Sequence, residues 1–67
     1  MRDESRLREL RQEAAELREL IRRVEEARAM GAEISLQVLY AYGRAIARLP
    51  LLERAIAELE GEAAWGG

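Results

Sequence analysis

The sequence predicts an all-α protein, an antiparallel αα-hairpin in which a long helix over residues 4–30 packs against a kinked helix over residues 35–60. Apolar residues recur at spacings of three and four through the first half of the chain, as on one face of an amphipathic helix. Gly31 and Ser35 are residue types that end and begin helices. Each predicted helix is about 40 Å long at 1.5 Å per residue. Two rods of equal length joined by a short loop are typical of a hairpin.

The first predicted helix carries a seven-residue apolar repeat. Leu7, Ala14 and Ile21 occupy one heptad position, and leucines and a valine occupy the second. The opposite face is charged and balanced, with eight arginines and eight acidic residues over residues 1–30, so we expect it to face solvent. The residues predicted to form the hairpin core are Leu7, Leu10, Leu17, Leu20, Ile21 and Val24.

The second predicted helix is apolar round most of its circumference. Residues 34–52 contain only two charged side chains, Arg44 and Arg48. A helix of this kind must be buried on several sides, and one partner helix cannot cover it. We therefore expect two hairpins to form a four-helix-bundle dimer. The residues predicted for this oligomer interface are Leu36, Leu39, Tyr40, Tyr42, Ile46, Leu49, Leu52 and Ile56.

Pro50 lies midway along the second predicted helix. A proline in a helix interior kinks or breaks it, and a break would give a three-helix bundle instead. Because no Gly, Asn or Ser cap flanks Pro50, the sequence favours a kinked but continuous helix. Residues 1–60 are predicted to form a single hairpin domain, and residues 61–67 are predicted to form a flexible C-terminal tail. Within this tail, Trp65 either packs against the end of the bundle or points into solvent.

The composition of the chain favours association with other protein chains. A 67-residue chain without cysteine or histidine has neither disulfides nor the usual metal ligands to stabilise it, so oligomerisation remains. The net charge of −2 does not favour nucleic acid as a partner. Arg44, Arg48 and Pro50 disfavour a membrane span. The lack of cysteine is consistent with a cytoplasmic protein. The high content of Arg, Glu, Ala and Leu fits a natural, a thermophilic or a designed origin.

The side chains available for chemistry do not predict an enzyme. Cysteine, histidine and lysine are all missing, and these are the commonest nucleophiles and proton-transfer groups. Glu13, Glu16 and Glu19 have a regular spacing but lie outside the apolar seam, so we expect surface carboxylates, with no metal site and no cofactor. An alternative is a phosphate-binding strip formed by Arg18, Arg22 and Arg23, although glutamates are interspersed among them.

One local motif resembles a known family. Residues 34–42, ISLQVLYAY, resemble the start of the recognition helix in TetR-type helix-turn-helix regulators, commonly V-S-x-x-T-L-Y-x-Y/H-F. Val38 stands where the family has threonine and Gly43 where it has an aromatic residue. Ala27 and Gly31 are similar to the family's A-x-x-x-G turn, with two extra residues before Ile34. The resemblance implies duplex DNA as a partner, yet no arginine stands at the base-reading positions.

The sequence thus predicts a non-enzymatic helical oligomerisation or adaptor module that self-associates through its second helix. Docking of this helix on a different protein is an open alternative. A second alternative is a small DNA-binding or regulatory protein with a helix-turn-helix-like segment at residues 27–46. The choice between dimer and tetramer also stays open.

Overall fold

The computed structural model describes the backbone of residues 2–66 and the side chains of residues 4–61. Two α-helices account for this part of the chain, α1 over Arg2–Ala29 and α2 over Leu36–Gly66. They pack side by side and antiparallel to form a rod measuring 49 × 18 × 15 Å. The predicted all-α hairpin is therefore confirmed for the residues that the structure describes.

The loop over residues 30–35 is bounded by the two residues that the sequence predicts to end α1 and begin α2, Gly31 and Ser35. Gly31 has a φ of 79°, a left-handed conformation that glycine adopts without steric cost. Its N–H donates to the carbonyl of Arg28, and the N–H of Ala32 donates to the carbonyl of Ala27. This pair of bonds is the Schellman motif that closes a helix. At the other end of the loop, Ser35 Oγ accepts a 3.2 Å hydrogen bond from the N–H of Val38, which confirms Ser35 as the N-cap of α2.

The core of the hairpin is a thin apolar seam between the two helices. Leu10, Ala14 and Leu52 are buried together. Val24 on α1 and Ala45 on α2 are also buried. The partly buried residues that pack against the Leu10 cluster are Leu17, Leu49, Ala55, Ile56 and Leu59. Two small side chains are the most deeply buried residues of the hairpin, Ala14 at 0% and Ala45 at 1% exposure.

Hydrogen bonds between charged or polar side chains follow both edges of this seam. On one edge Arg11 pairs with Glu60, and Arg18 pairs with Glu53 at 3.1 Å. On the other edge Arg48 pairs with Glu13. Along the first edge, the residue numbers decrease on α2 as they increase on α1, which is what antiparallel packing requires. Exposed pairs of this kind add little stability, and they lie along the two edges of the side of α2 that faces α1.

The helix α2 runs unbroken through Pro50. The alternative three-helix bundle, broken at this proline, is therefore wrong for the described chain. The helix also continues to Gly66, beyond the predicted end at residue 60. The flexibility of residues 61–67 stays a prediction, and the side chain of Trp65 lies outside the described residues.

Candidate functional site

The two helices differ sharply on the sides that face away from each other. Over the described side chains, seven large hydrophobic residues are exposed, and six of them belong to α2. The seventh, Met30, lies in the loop directly after α1. The outward side of α1 is instead covered by arginine and glutamate. The hairpin therefore has one charged side and one apolar side.

The apolar side is a continuous strip on the first half of α2. We call it the outer face of α2, and at 100° per residue it spans about 140° of the helix circumference. Its large side chains are well exposed, with Leu36 at 84%, Tyr40 at 71%, Leu51 at 64% and Ile46 at 45%. The complete set of residues on this face is Leu36, Leu39, Tyr40, Gly43, Ile46, Ala47, Pro50 and Leu51.

The outer face of α2 points directly away from α1. Ala45 and Leu52 are the buried residues of α2, and they lie about 170° from the centre of the outer face on a helical projection. A monomer satisfies one side of α2 with α1 and leaves the opposite side in water. Exposed apolar patches of several adjacent large residues commonly mark interaction sites.

The structure divides the predicted interface residues into two groups. Leu52 is only 4% exposed and lies in the hairpin core, and Leu49 and Ile56 pack against that core. These three residues thus serve the contact with α1 in this structure, whereas the sequence assigned them to a contact between chains. The predicted interface residues that remain exposed are Leu36, Leu39, Tyr40 and Ile46.

Tyr42, also predicted for the interface, lies half-buried at the edge of the hairpin. Its hydroxyl donates a 3.3 Å hydrogen bond to Glu25 Oε2 of α1. Leu51 was not among the predicted interface residues, but it is exposed on the outer face. The exposure of Leu51 could have been predicted from its angular position, which is on the same side of α2 as Leu36 and Tyr40.

The predicted core residues of α1 lie on its inward side. Leu10 and Val24 are buried, and Leu17 packs against the central cluster. Leu7, Leu20 and Ile21 are half-buried. The buried position of Ala45 was not predicted, because a small residue contributes little to an apolar pattern even where it faces the partner helix.

Ion pairs shift the titration of two glutamates on α1. A hydrogen bond from Arg48 is the main cause that lowers the pKa of the Glu13 carboxyl below its ordinary value of 4.5, and partial burial opposes it. Hydrogen bonds from Arg22 and then Arg23 lower the pKa of Glu19 in the same way. The lowered pKa values have a structural cause in these pairs, and neither carboxylate is held in the protonated form that an acid catalyst needs.

The described side chains do not assemble a metal site or an unpaired cationic strip. Over the side chains of residues 4–61, no cluster of three or more acidic residues has a geometry that could hold a metal ion. The three arginines of the alternative phosphate strip all contact glutamates: Arg18 pairs with Glu53, Arg22 with Glu19 and Glu26, and Arg23 with Glu19. These contacts offset the positive charge that would attract phosphate.

The helix-turn-helix-like segment at residues 27–46 forms the end of α1, the loop and the first turns of α2. In the described chain, its most exposed large hydrophobic side chains on α2 are Leu36 and Tyr40. Its N-terminal turn therefore presents apolar side chains where a DNA-reading helix presents hydrogen-bonding ones.

Within the described residues, neither helix combines the length and the apolar character that crossing a bilayer requires. The chain matches no family model, and neither the curated proteins nor the solved structures contain a significant match to it.

Proposed function

We propose that this chain is a non-enzymatic self-association module, in which two hairpins dimerise through the outer face of α2. The observation that carries the proposal is the contrast between the two outward sides of the hairpin. The apolar side chains exposed on α2 have no counterpart on the outward side of α1, where charged residues predominate. A protein that functions as a lone monomer has no physical reason to concentrate its exposed leucines on one helix face.

The exposed apolar area is of the size that a dimer needs. Leu36, Leu39, Tyr40, Ile46 and Leu51 together expose the equivalent of three complete side chains, to the nearest whole number. Burying them in both copies would contribute ~9–18 kcal/mol at ~1.5–3 kcal/mol per side chain. Bringing two chains together costs ~4–15 kcal/mol. The two ranges overlap, and the gain exceeds the cost when the middles of the ranges are compared, so burial of the outer face favours dimerisation.

A second copy of the chain also suits the outer face chemically. Over residues 36–51 this face carries no charged side chain, so a second apolar face meets it without burying an unpaired charge. The module would act in the cytoplasm as an adaptor or scaffold that brings two chains together. The alternatives make other predictions: a different protein partner predicts a monomeric chain, and duplex DNA predicts salt-dependent DNA binding.

The test is light scattering after size exclusion over a dilution series, with helicity followed by circular dichroism. We expect a dimer whose melting temperature rises with concentration. Ile46→Asp places a carboxylate on the outer face and should give a monomer at concentrations where the wild type is dimeric. Because Ile46 is 45% exposed in the hairpin, we expect the variant to stay helical.

Ala15→Asp is the matched control, since Ala15 is exposed on α1 and lies away from the outer face of α2. It should leave dimerisation unchanged. A wild-type chain that stays monomeric at the highest concentration, with a concentration-independent melting temperature, would refute the proposal. Tight binding to duplex DNA that weakens steeply with salt would instead support the DNA-binding alternative.

A further inference from the structure

We infer that the two copies of α2 pair antiparallel, with the two-fold axis beside Gly43 and with Arg54 of each copy next to the loop that carries Glu33 of the other. This inference rests on the proposed self-association. It adds the arrangement of the two copies, which three features of the outer face of α2 determine.

The first feature is the direction of the outer face. Since it lies opposite α1, contact through this face places the two α2 helices in the middle and the two α1 helices on the outside. Neither α1 then contributes to the contact between copies. The pairing is decided by α2 alone, and the choice reduces to a parallel or an antiparallel arrangement of two identical helices.

The second feature is the order of large and small side chains along the outer face. The apolar stretch runs from Leu36 to Leu51, and its midpoint falls beside Gly43. An added Cβ on Gly43 would meet no atom of the hairpin within 4 Å, so the backbone is bare there and a second helix can approach closely.

Antiparallel pairing about this midpoint places the largest side chain of the outer face against one of the smallest. Leu36 of one copy then lies opposite Leu51 of the other, and Tyr40 lies opposite Ala47. Parallel pairing would instead place Tyr40 against Tyr40 and Ala47 against Ala47. Cores pack well when large and small residues alternate across the contact, which favours the antiparallel arrangement.

The third feature is charge. Arg54 lies on the same side of α2 as Leu36, one turn beyond Leu51. Antiparallel pairing brings it to the loop of the other copy, where Glu33 is exposed. Parallel pairing brings the two Arg54 side chains to the same level, and like charges in register disfavour a contact. Arg54 pairs with Glu58 of its own helix at 3.5 Å, which offsets part of this repulsion. The antiparallel register also brings both copies of Arg44 to one rim of the contact, where water and long side chains reduce their repulsion.

Single-cysteine variants test the arrangement, because the chain has no cysteine of its own. Leu36→Cys and Leu51→Cys replace exposed residues and should leave the hairpin folded. Each variant is oxidised alone and as an equal mixture, with a short terminal tag on one variant so that the three cross-linked species differ in mass. Antiparallel pairing predicts efficient linkage of residue 36 to residue 51 in the mixture and little product from either variant alone.

The outcomes separate the arrangement from the proposed function. Cross-linking of each variant with itself, at a yield similar to that of the mixture, would show parallel pairing and overturn this inference while self-association stands. A wild-type dimer that gives none of the three products would also overturn it. A monomeric wild type in light scattering would overturn the proposed function itself.

Two further measurements give independent readouts. Arg54→Glu alone and Glu33→Arg alone should each raise the dimer Kd by about tenfold, and the double variant should restore it. In small-angle X-ray scattering, overlap of two 49 Å rods over residues 33–54 gives a maximum length of about 65 Å. A parallel dimer would be about as long as one hairpin, and a length near 50 Å would contradict the antiparallel arrangement.

Discussion

Gly43→Ala should make the hairpin more stable and the dimer weaker. Glycine in the middle of a helix lowers stability by ~0.5–1 kcal/mol relative to alanine, because the unfolded chain loses more conformational freedom. Gly43 lies inside α2, and no atom of the hairpin is within 4 Å of the position where a Cβ would lie. Nothing in the monomer therefore opposes the gain, and its melting temperature should rise by about 4–8 °C per kcal/mol.

The same methyl group should oppose association. If the two helices touch at Gly43, the added carbon forces them apart or misaligns the large side chains on either side, as an overpacked core does at a cost of ~1–3 kcal/mol. Each 1.4 kcal/mol corresponds to tenfold in Kd, so the dimer Kd should rise by about 5- to 150-fold. Folding and association then change in opposite directions.

The assay needs concentrations on both sides of the dimer Kd. Thermal unfolding at low concentration reports the stability of the monomer, and sedimentation equilibrium at high concentration reports the Kd. Gly61→Ala is the control, because Gly61 has the same angular position on α2 and equally open surroundings, but lies beyond residues 36–51. It should raise monomer stability without changing the Kd. A Gly43→Ala chain that dimerises as tightly as the wild type, or more tightly, would refute close contact of the helices at Gly43.

Two further predictions concern the hairpin itself. Leu52→Ala removes a side chain that is 4% exposed and should lower the free energy of unfolding by ~2–5 kcal/mol. Leu51→Ala changes a residue that is 64% exposed, so it should lower the free energy of unfolding much less and weaken the dimer instead. Urea unfolding of the two neighbouring variants compares them, and equal losses would contradict the assignment of Leu52 to the core. The stability of the hairpin should also fall in acid, because Arg48 lowers the pKa of Glu13 below 4.5 in the folded chain. The pair therefore stabilises the fold above pH 4.5, and this contribution is lost as the pH falls through the lowered pKa. Thermal unfolding from pH 7 to pH 2 measures this, Glu13→Gln should reduce the fall, and an unchanged pH profile in that variant would show that the pair contributes nothing.

The ends of the helices could be predicted because their causes are local. Gly31 ends α1 by adopting a positive φ, and Ser35 starts α2 through a bond to a backbone N–H three residues on. Neither effect depends on the rest of the fold. The heptad pattern of α1 also predicted which side of this helix faces α2. Charged residues occupy the other side of α1, so only the apolar side can pack inward.

The rotation of α2 about its own axis could not be predicted in the same way. Because α2 is apolar round most of its circumference, several of its sides could pack against α1 at a similar gain in burial. The structure selects the side with Ala45 and Leu52, where Leu52 is buried together with Leu10 and Ala14. The pairs of Arg18 with Glu53 and of Arg48 with Glu13 lie on the two edges of that side. Leu49, Leu52 and Ile56 consequently turn inward, and Leu51 turns outward.

Pro50 has a consequence for the backbone of α2. A proline has no amide hydrogen, so the carbonyl oxygen of Ile46, four residues earlier, lacks the donor that a regular helix would give it. In a lone hairpin water can hydrate this oxygen, but a second helix on the same side would remove the water. Dehydration without a new donor costs about 1–3 kcal/mol, so contact between two copies over this turn would carry that cost. An isotope label on the Ile46 carbonyl would then show its infrared band move from a water-bonded to a non-bonded frequency as the chains associate.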